Sequence, residues 1–256
     1  MIHSRLVLIL AMPLLVSASA AQEHYHWFPA SPEANAARAW AVLLPRAEGL
    51  GSLAPGNQYW DFAHWLNARG IDALVVDYAN AASRVPSASG PTGKKIAAIV
   101  RDALADARSR RRMDARCPGV AIGWSRGAEG ALTMASSDGE SDQGLKAVVA
   151  YYPSVRSQER PWPQRLPVIA LQGDADGIAP ASSLTSLVAG RVQTNLAFEV
   201  HLYPGARHRF DVAHPVNNPT GKTPADFDEK ASADALAEIG TFLDRHGIRN
   251  DACQPG

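Results

Sequence analysis

Short apolar runs alternate along the chain with longer segments whose apolar residues recur at helical spacing. The runs predict buried strands at 41–44, 71–77, 120–122, 146–151, 168–172 and 197–203. The longer segments predict helices at 59–69, 93–111, 128–135, 181–189 and 224–246. Because strand and helix patterns alternate, we expect an α/β domain with a mainly parallel sheet and helices on both faces.

The same pattern predicts one domain. No internal repeat and no shift in composition divides residues 22–256, so we assign them to a single domain. Only the segment 152–167 separates the fourth and fifth predicted strands, which leaves no room for a large helical cap. Two segments rich in proline, glycine and small polar residues, 80–92 and 213–223, are predicted to be loops beside the site.

Residues 1–21 have the pattern of a secretory signal peptide. Arg5 supplies a positive charge, residues 6–16 are apolar, and Ala18 and Ala20 form an Ala-x-Ala cleavage site. Since the apolar stretch is short for a membrane span, we expect cleavage and a periplasmic or secreted mature protein. No stable membrane association is then expected after cleavage. An uncleaved anchor is the alternative interpretation.

The balance of charged residues limits the kinds of binding partner that we expect. Lys and Arg number 25 and Asp and Glu number 25, so the formal net charge is zero. Nothing in this balance favours nucleic acid or an anionic membrane as a partner. We expect a small-molecule substrate and a monomer or weak homodimer.

The strongest chemical signal follows the strand predicted at 120–122. Residues 123–127 read Gly-Trp-Ser-Arg-Gly and stand directly before a predicted helix. A strand-to-helix turn this sharp forces its central residue into strained backbone, and glycines on both sides avoid collisions. The turn raises the hydroxyl of Ser125 to the edge of the sheet. We therefore predict that Ser125 is a nucleophile.

A nucleophilic serine needs a base and an acid, and both follow later in the chain. Asp174 and Asp176 stand just after the strand at 168–172, and His208 stands in the loop after the strand at 197–203. The carboxyl ends of parallel strands share one edge of a sheet, so these groups are expected to meet Ser125. The histidine would take the serine proton, and the aspartate would hold the histidine tautomer.

Three sequence blocks, Gly-Trp-Ser-Arg-Gly, Gly-Asp-Ala-Asp-Gly-Ile-Ala-Pro and Tyr-Pro-Gly-Ala-Arg-His-Arg-Phe-Asp, resemble those of the dienelactone hydrolase family, a branch of the α/β-hydrolases. The resemblance extends from about residue 40 to 245. It selects Asp176 over Asp174 as the acid and implies an esterase or lactonase with the α/β-hydrolase fold. Two features depart from the namesake enzymes: Ser125 replaces their cysteine, and Arg46 and Val212 stand where they have a Glu and an Arg.

Further residues are assigned roles around Ser125. The backbone N–H of Arg126 is expected to be one oxyanion donor, and the loop after the first predicted strand supplies Ala47 as the other. The family resemblance suggests that Arg84 binds a substrate carboxylate. Trp124 and Tyr152 either line the substrate pocket or pack beneath the site.

The two cysteines, Cys117 and Cys253, are predicted to form a disulfide. Export exposes thiols to an oxidising compartment. Cys117 precedes the strand at 120–122, and the final helix returns to the same edge of the sheet, opposite the predicted site. Two unrelated thiols are the alternative.

We expect neither metal nor cofactor. The short motif His24-x-His26 is interpreted as part of a disordered lead-in, and the chain carries no phosphate-binding loop, zinc motif or dinucleotide fingerprint. The predicted function is therefore a serine hydrolase that cleaves a carboxylic ester or lactone. A small peptidase and a non-catalytic binding protein with the same fold are the alternatives.

Overall fold

The computed structural model describes residues 24–31, 37–82, 90–110, 112–192, 195–214, 225–249 and 253. The predicted signal peptide lies outside these residues, as does Arg84.

One seven-stranded sheet forms the centre of the molecule. Its strands are β1 Tyr25–Phe28, β2 Trp40–Leu44, β3 Asp72–Val76, β4 Gly119–Trp124, β5 Leu145–Tyr151, β6 Val168–Gly173 and β7 Phe198–Tyr203. They lie in the order β1-β3-β2-β4-β5-β6-β7. All neighbours are parallel except β1, which pairs antiparallel with β3. The mainly parallel sheet is confirmed.

Helices cover both faces of the sheet, as predicted. They are α1 Gln58–Ala68, α2 Tyr78–Ala82, α3 Gly93–Ser109, α4 Arg126–Ala135, α5 Ala181–Ala189 and α6 Glu229–Arg245, with a 3-10 turn at Ser141–Gln143. The apolar sides of α1 and α6 belong to one buried cluster, and those of α3, α4 and α5 belong to the other. The α6 helix begins later than predicted because the side chain of Asp228 accepts the N–H of Ala231 and caps it.

The alternation of side chains along β4 determines what lies beneath the site. Val120, Ile122 and Trp124 pack into the cluster with α1 and α6, while Ala121 packs into the opposite cluster. The strand then ends at Trp124, so Ser125 stands at the carboxyl edge of the sheet, above the α1–α6 core.

The predicted disordered lead-in is wrong for residues 24–28. Residues 25–28 form strand β1, whose partners in β3 run from Val76 back to Ala73. The N–H of Asp77 donates to the carbonyl of His24 at 2.7 Å, which extends the pairing by one step. The strand therefore pairs an edge of β3 that would otherwise present unpaired backbone groups.

Residues 152–167, all of which the structure describes, contain no helix, so no large cap is inserted between β5 and β6. Among the described residues, the structure has no helix that combines the length and the apolar character needed to cross a membrane.

Cys117 and Cys253 form a disulfide. Cys117 is fully buried just before β4, at the edge of the sheet opposite Ser125. The bond ties the segment after α6 to that edge.

Candidate active site

Ser125 occupies the turn between β4 and α4 with φ of 53° and ψ of −111°. A positive φ is uncommon for a residue with a side chain, and it persists only where the surrounding structure imposes it. A Cβ on Gly123 would overlap the backbone at the start of α4, and a Cβ on Gly127 would overlap the carbonyl oxygens of Leu44 and Pro45. Glycine is therefore required on both sides of the serine.

A chain of hydrogen bonds joins Ser125, His208 and Asp176. The Nε2 atom of His208 lies 3.1 Å from the Oγ of Ser125. Its Nδ1 atom lies 2.7 Å from the Oδ2 of Asp176. Since a carboxylate only accepts, the Nδ1 carries a proton, and the Nε2 is left to accept the serine hydroxyl. This arrangement can deprotonate Ser125 as it attacks a carbonyl carbon.

Asp176 is held from several directions. Its Oδ1 accepts the backbone N–H groups of Ile178 at 2.8 Å and Ala179 at 2.9 Å, and Gln172 donates to its Oδ2 at 3.0 Å. Burial raises the pKa of Asp176, but the hydrogen bonds from His208 and from these backbone groups outweigh it, so the pKa lies below its usual value. The group is therefore ionised at neutral pH.

Asp174, the other candidate acid, lies elsewhere in the same loop. Its side chain is exposed and accepts the N–H of Gly205 at 2.7 Å, which ties two neighbouring loops together. The structure thus places Asp176, rather than Asp174, beside His208.

Both predicted oxyanion residues border the cleft that contains Ser125. Arg126 is the first residue of α4, where the first N–H groups have no partner within the helix. In the other loop, the N–H of Arg46 donates to the hydroxyl of Tyr59 at 2.9 Å. The N–H of Arg46 is therefore already used, and the next residue, Ala47, borders the cleft.

The cleft has a volume of about 550 Å³, and its lining combines cationic and apolar residues. The cationic residues are Arg126, Arg156, Arg160 and Arg209, of which Arg209 pairs with Asp226 and Glu48. The apolar residues are Pro153, Val155, Ile178, Ala179 and Pro180. Ile178 is 62 % exposed, so it stands open to a bound molecule. A substrate with an apolar part and an anionic part would match both kinds of lining residue.

Trp124 and Tyr152 do not line this cleft, which corrects their assignment as substrate-binding residues. Both are fully buried. Trp124 stacks on Tyr151 with ring centroids 5.4 Å apart, since the alternation of β4 points it into the core. The ring centroids of Tyr152 and His208 lie 4.5 Å apart, so the buried Tyr152 ring packs against the imidazole.

Asp211 is a residue whose position had no assigned role, although it stands in the block that contains His208. Its Oδ1 accepts the hydroxyl of Tyr152 at 2.8 Å. Its Oδ2 accepts the indole N–H of Trp124 at 2.8 Å and the amide of Gln58 at 2.7 Å. The sequence signal that could have identified Asp211 is an acidic residue directly after the apolar Phe210.

Within the described parts of the chain, no group of three or more His, Cys, Asp or Glu residues is arranged to hold a metal ion.

The fold and the Ser–His–Asp arrangement define the chain as an α/β-hydrolase. A model of the dienelactone hydrolase family matches residues 66–247, which is more than half of the chain. The chain belongs to the dienelactone hydrolase family and is a hydrolase. A comparison with curated protein sequences found no match.

Solved structures support the same fold. A dienelactone hydrolase candidate from Klebsiella pneumoniae is 16% identical with a TM-score of 0.67, covering 86% of this chain and 92% of that one. The thermophilic esterase Est2 of Thermogutta terrifontis is 16% identical with a TM-score of 0.64, covering 88% of each chain. A dienelactone hydrolase-like promiscuous phosphotriesterase, P91, from metagenomic libraries is 18% identical with a TM-score of 0.63, covering 82% and 87%.

Proposed function

We propose that this chain is an exported serine esterase that cleaves a carboxylic ester or lactone through an acyl-enzyme at Ser125. The observation that carries the proposal is the hydrogen-bonded chain from Ser125 through His208 to Asp176, set on a backbone turn with positive φ. A binding protein with the same fold would have no reason to keep a strained serine beside a paired histidine.

In the proposed reaction, the Oγ of Ser125 attacks the ester carbon while His208 takes the hydroxyl proton. The N–H groups of Arg126 and Ala47 would hold the negative oxygen of the tetrahedral intermediate. Collapse of this intermediate breaks the bond to the leaving oxygen, which receives the proton from His208. A water molecule, deprotonated by the same histidine, then releases the acid and restores Ser125.

A fluorophosphonate probe tests the nucleophile directly. The esterase 2 of Thermogutta terrifontis has been solved phosphorylated by paraoxon, so a phosphorus electrophile is a suitable reagent for this family. The parent protein should be labelled and should hydrolyse p-nitrophenyl acetate, whereas Ser125→Ala should lose both properties. Continued labelling of a folded Ser125→Ala variant would rule out the assignment. An unreactive parent would favour a non-catalytic protein.

The arginines that line the cleft support an ester that carries an anionic group. Arg156 and Arg160 are exposed, and a guanidinium pairs with a carboxylate in two-point geometry. The matched substrates 4-acetoxybenzoate and 4-acetoxybenzamide differ in this charge but share the reacting acetyl ester. The parent should have the lower KM for the benzoate, and Arg156→Gln with Arg160→Gln should remove the difference. Equal KM values in the parent would reject the anionic preference.

Export is supported by the pattern of residues 1–21 and agrees with the Cys117–Cys253 disulfide, since disulfides persist in oxidising compartments. N-terminal sequencing of protein from a periplasmic or extracellular fraction should begin near Gln22. A chain that retains Met1 in the membrane fraction would instead identify an uncleaved anchor. The oligomeric state stays a prediction, which sedimentation would test.

A further inference from the structure

Asp211 joins three segments that surround the proposed catalytic groups. Asp211 accepts a hydrogen bond from Trp124, the residue that precedes Ser125. It accepts another from Tyr152, whose ring packs on His208. Through Gln58 it reaches Arg46, because the Oε1 of Gln58 accepts from the Arg46 guanidinium at 2.6 Å. Asp211 itself stands three residues after His208 in the same loop.

The donors around Asp211 determine its role. The indole of Trp124 has an N–H that can only donate, and Gln58 turns its amide NH₂ toward the same oxygen because its carbonyl accepts from Arg46. The Oδ2 of Asp211 must therefore accept twice. With Tyr152 donating to Oδ1, a carboxylate satisfies all three partners at once.

The surroundings also balance the charge of Asp211. Burial raises the pKa of Asp211, and the hydrogen bond from Tyr152 and the charge of Arg46 partly offset this. Arg46 is only 4% exposed, so the cation and the carboxylate compensate each other beneath the site. Arg46 also pairs with the exposed side chain of Glu48 at 3.5 Å, so it keeps one acidic partner when Asp211 is replaced.

Asp211 does not border the cleft that contains Ser125. It lines a separate cavity of about 170 Å³ on the α1 side of the sheet, together with Phe62 and Trp65. A substrate bound at Ser125 is therefore not expected to contact Asp211. Any effect of Asp211 on the reaction must act by way of the residues to which it is hydrogen-bonded.

We propose that Asp211 is a positioning residue that holds the serine turn, the His208 ring and the Arg46–Ala47 loop in one fixed arrangement. This inference rests on the proposed esterase function. The bond to Trp124 fixes the residue before Ser125, and the bond to Tyr152 fixes the ring on which His208 packs. The bond to Gln58, which also bonds to Arg46, fixes the residue before the proposed oxyanion donor Ala47. Displacements of about 1 Å at such groups cost on the order of 100-fold in rate.

The test is a comparison of kcat and KM for p-nitrophenyl acetate at a temperature well below the unfolding of every variant. Asp211→Ala should lower kcat by about 10- to 100-fold and change KM by less than about threefold. Asp211→Asn should recover most of the loss. Its carbonyl can accept from Trp124 and Gln58, while its amide can donate to the hydroxyl of Tyr152.

A matched control separates positioning from general stability. Asp72 is a buried aspartate, and it accepts the N–H of Ala30 at 2.7 Å at the opposite end of the sheet. Asp72→Ala should lower the unfolding temperature without lowering kcat at the assay temperature. A similar loss of kcat in Asp72→Ala would mean that instability alone explains the effect of Asp211.

A double-mutant cycle tests the route through Tyr152. If the two residues act as one unit, Asp211→Ala combined with Tyr152→Phe should lose less than the product of the two single losses. If Asp211→Ala does not fold, Tyr152→Phe alone, which removes one of the three hydrogen bonds, carries the comparison of kcat. A folded Asp211→Ala variant, or Tyr152→Phe in its place, with kcat within twofold of the parent, or with KM raised and kcat unchanged, would overturn the proposal. An inactive parent would instead refute the esterase function itself.

Discussion

The substitution Asp176→Asn keeps the shape of the acid but changes which nitrogen of His208 carries the proton. In the parent, the Oδ2 of Asp176 accepts from the Nδ1 of His208, and its Oδ1 accepts two backbone N–H groups, those of Ile178 and Ala179. An asparagine has only one oxygen for these two positions. Its orientation therefore decides the state of the histidine.

The backbone donors favour the harmful orientation. With its oxygen toward His208, the asparagine would turn its NH₂ against the N–H groups of Ile178 and Ala179 and lose both hydrogen bonds. With its oxygen toward the backbone, it keeps those two bonds and loses the one from Gln172. A lost hydrogen bond of this kind costs about 1–3 kcal/mol, so the second orientation is favoured by one such bond. The NH₂ then faces His208, which must accept at Nδ1 and carry its proton at Nε2.

A proton on Nε2 prevents His208 from accepting the hydroxyl of Ser125. In serine proteases the corresponding change lowers kcat about 10⁴-fold, which is about 5 kcal/mol of transition-state stabilisation. We expect a loss of about 10³- to 10⁴-fold here, with little change in KM. Hydrolysis of p-nitrophenyl acetate gives both constants.

The same loop supplies a matched control. Asp174 is exposed and holds only the N–H of Gly205, so Asp174→Asn should change kcat by no more than a few-fold. Similar losses in the two variants, or a larger loss in Asp174→Asn, would refute the assignment of the acid. A folded Asp176→Asn protein with nearly full activity would refute the role of the hydrogen-bonded chain.

Three further predictions concern stability. Cys253→Ser should lower the free energy of unfolding, measured in denaturant, by up to about 5 kcal/mol, because the disulfide closes a loop between residues 136 positions apart. Its kcat should equal that of the parent, because the disulfide lies at the edge of the sheet opposite the site. Gly127→Ala should lower the unfolding temperature strongly and Gly177→Ala should not, because only the first added Cβ meets backbone; equal shifts in calorimetry would contradict this. The stability advantage of the parent over Asp176→Asn should shrink in acid denaturation curves as the pH falls below about 4, because the pKa of Asp176 is lowered by folding; a constant difference would exclude this linkage.

The sheet and the three predicted catalytic side chains were accessible from sequence because each depends on a local pattern. An apolar run followed by glycine, serine and glycine determines the turn at Ser125, and parallel strands place their carboxyl ends at one edge. Strand β1 was missed for the opposite reason. Its four residues follow the predicted signal peptide, and its pairing is set by the free edge of β3, which is distant in sequence.

The position of Trp124 is predictable from the period of strand β4. Val120, Ile122 and Trp124 alternate along β4, and the first two are core residues on the α1–α6 face, so the period of the strand already points Trp124 away from the cleft. Tyr152 offers no such rule, because it follows the strand with a φ of 35° and departs from the strand period.

The cationic lining of the cleft and the contacts of Asp211 lie beyond local patterns. Arg126 begins α4, whereas Arg156 and Arg209 lie in two separate loops, and only the packed sheet brings them to one cleft. The contacts of Asp211 likewise join residues separated by 59 to 153 positions. A local pattern can thus identify which groups react, whereas the spacing and support of those groups depend on long-range packing. For this reason Asp211→Ala and Asp176→Asn probe different properties of the same site: the first tests how the reacting groups are held, and the second tests which nitrogen of His208 carries the proton.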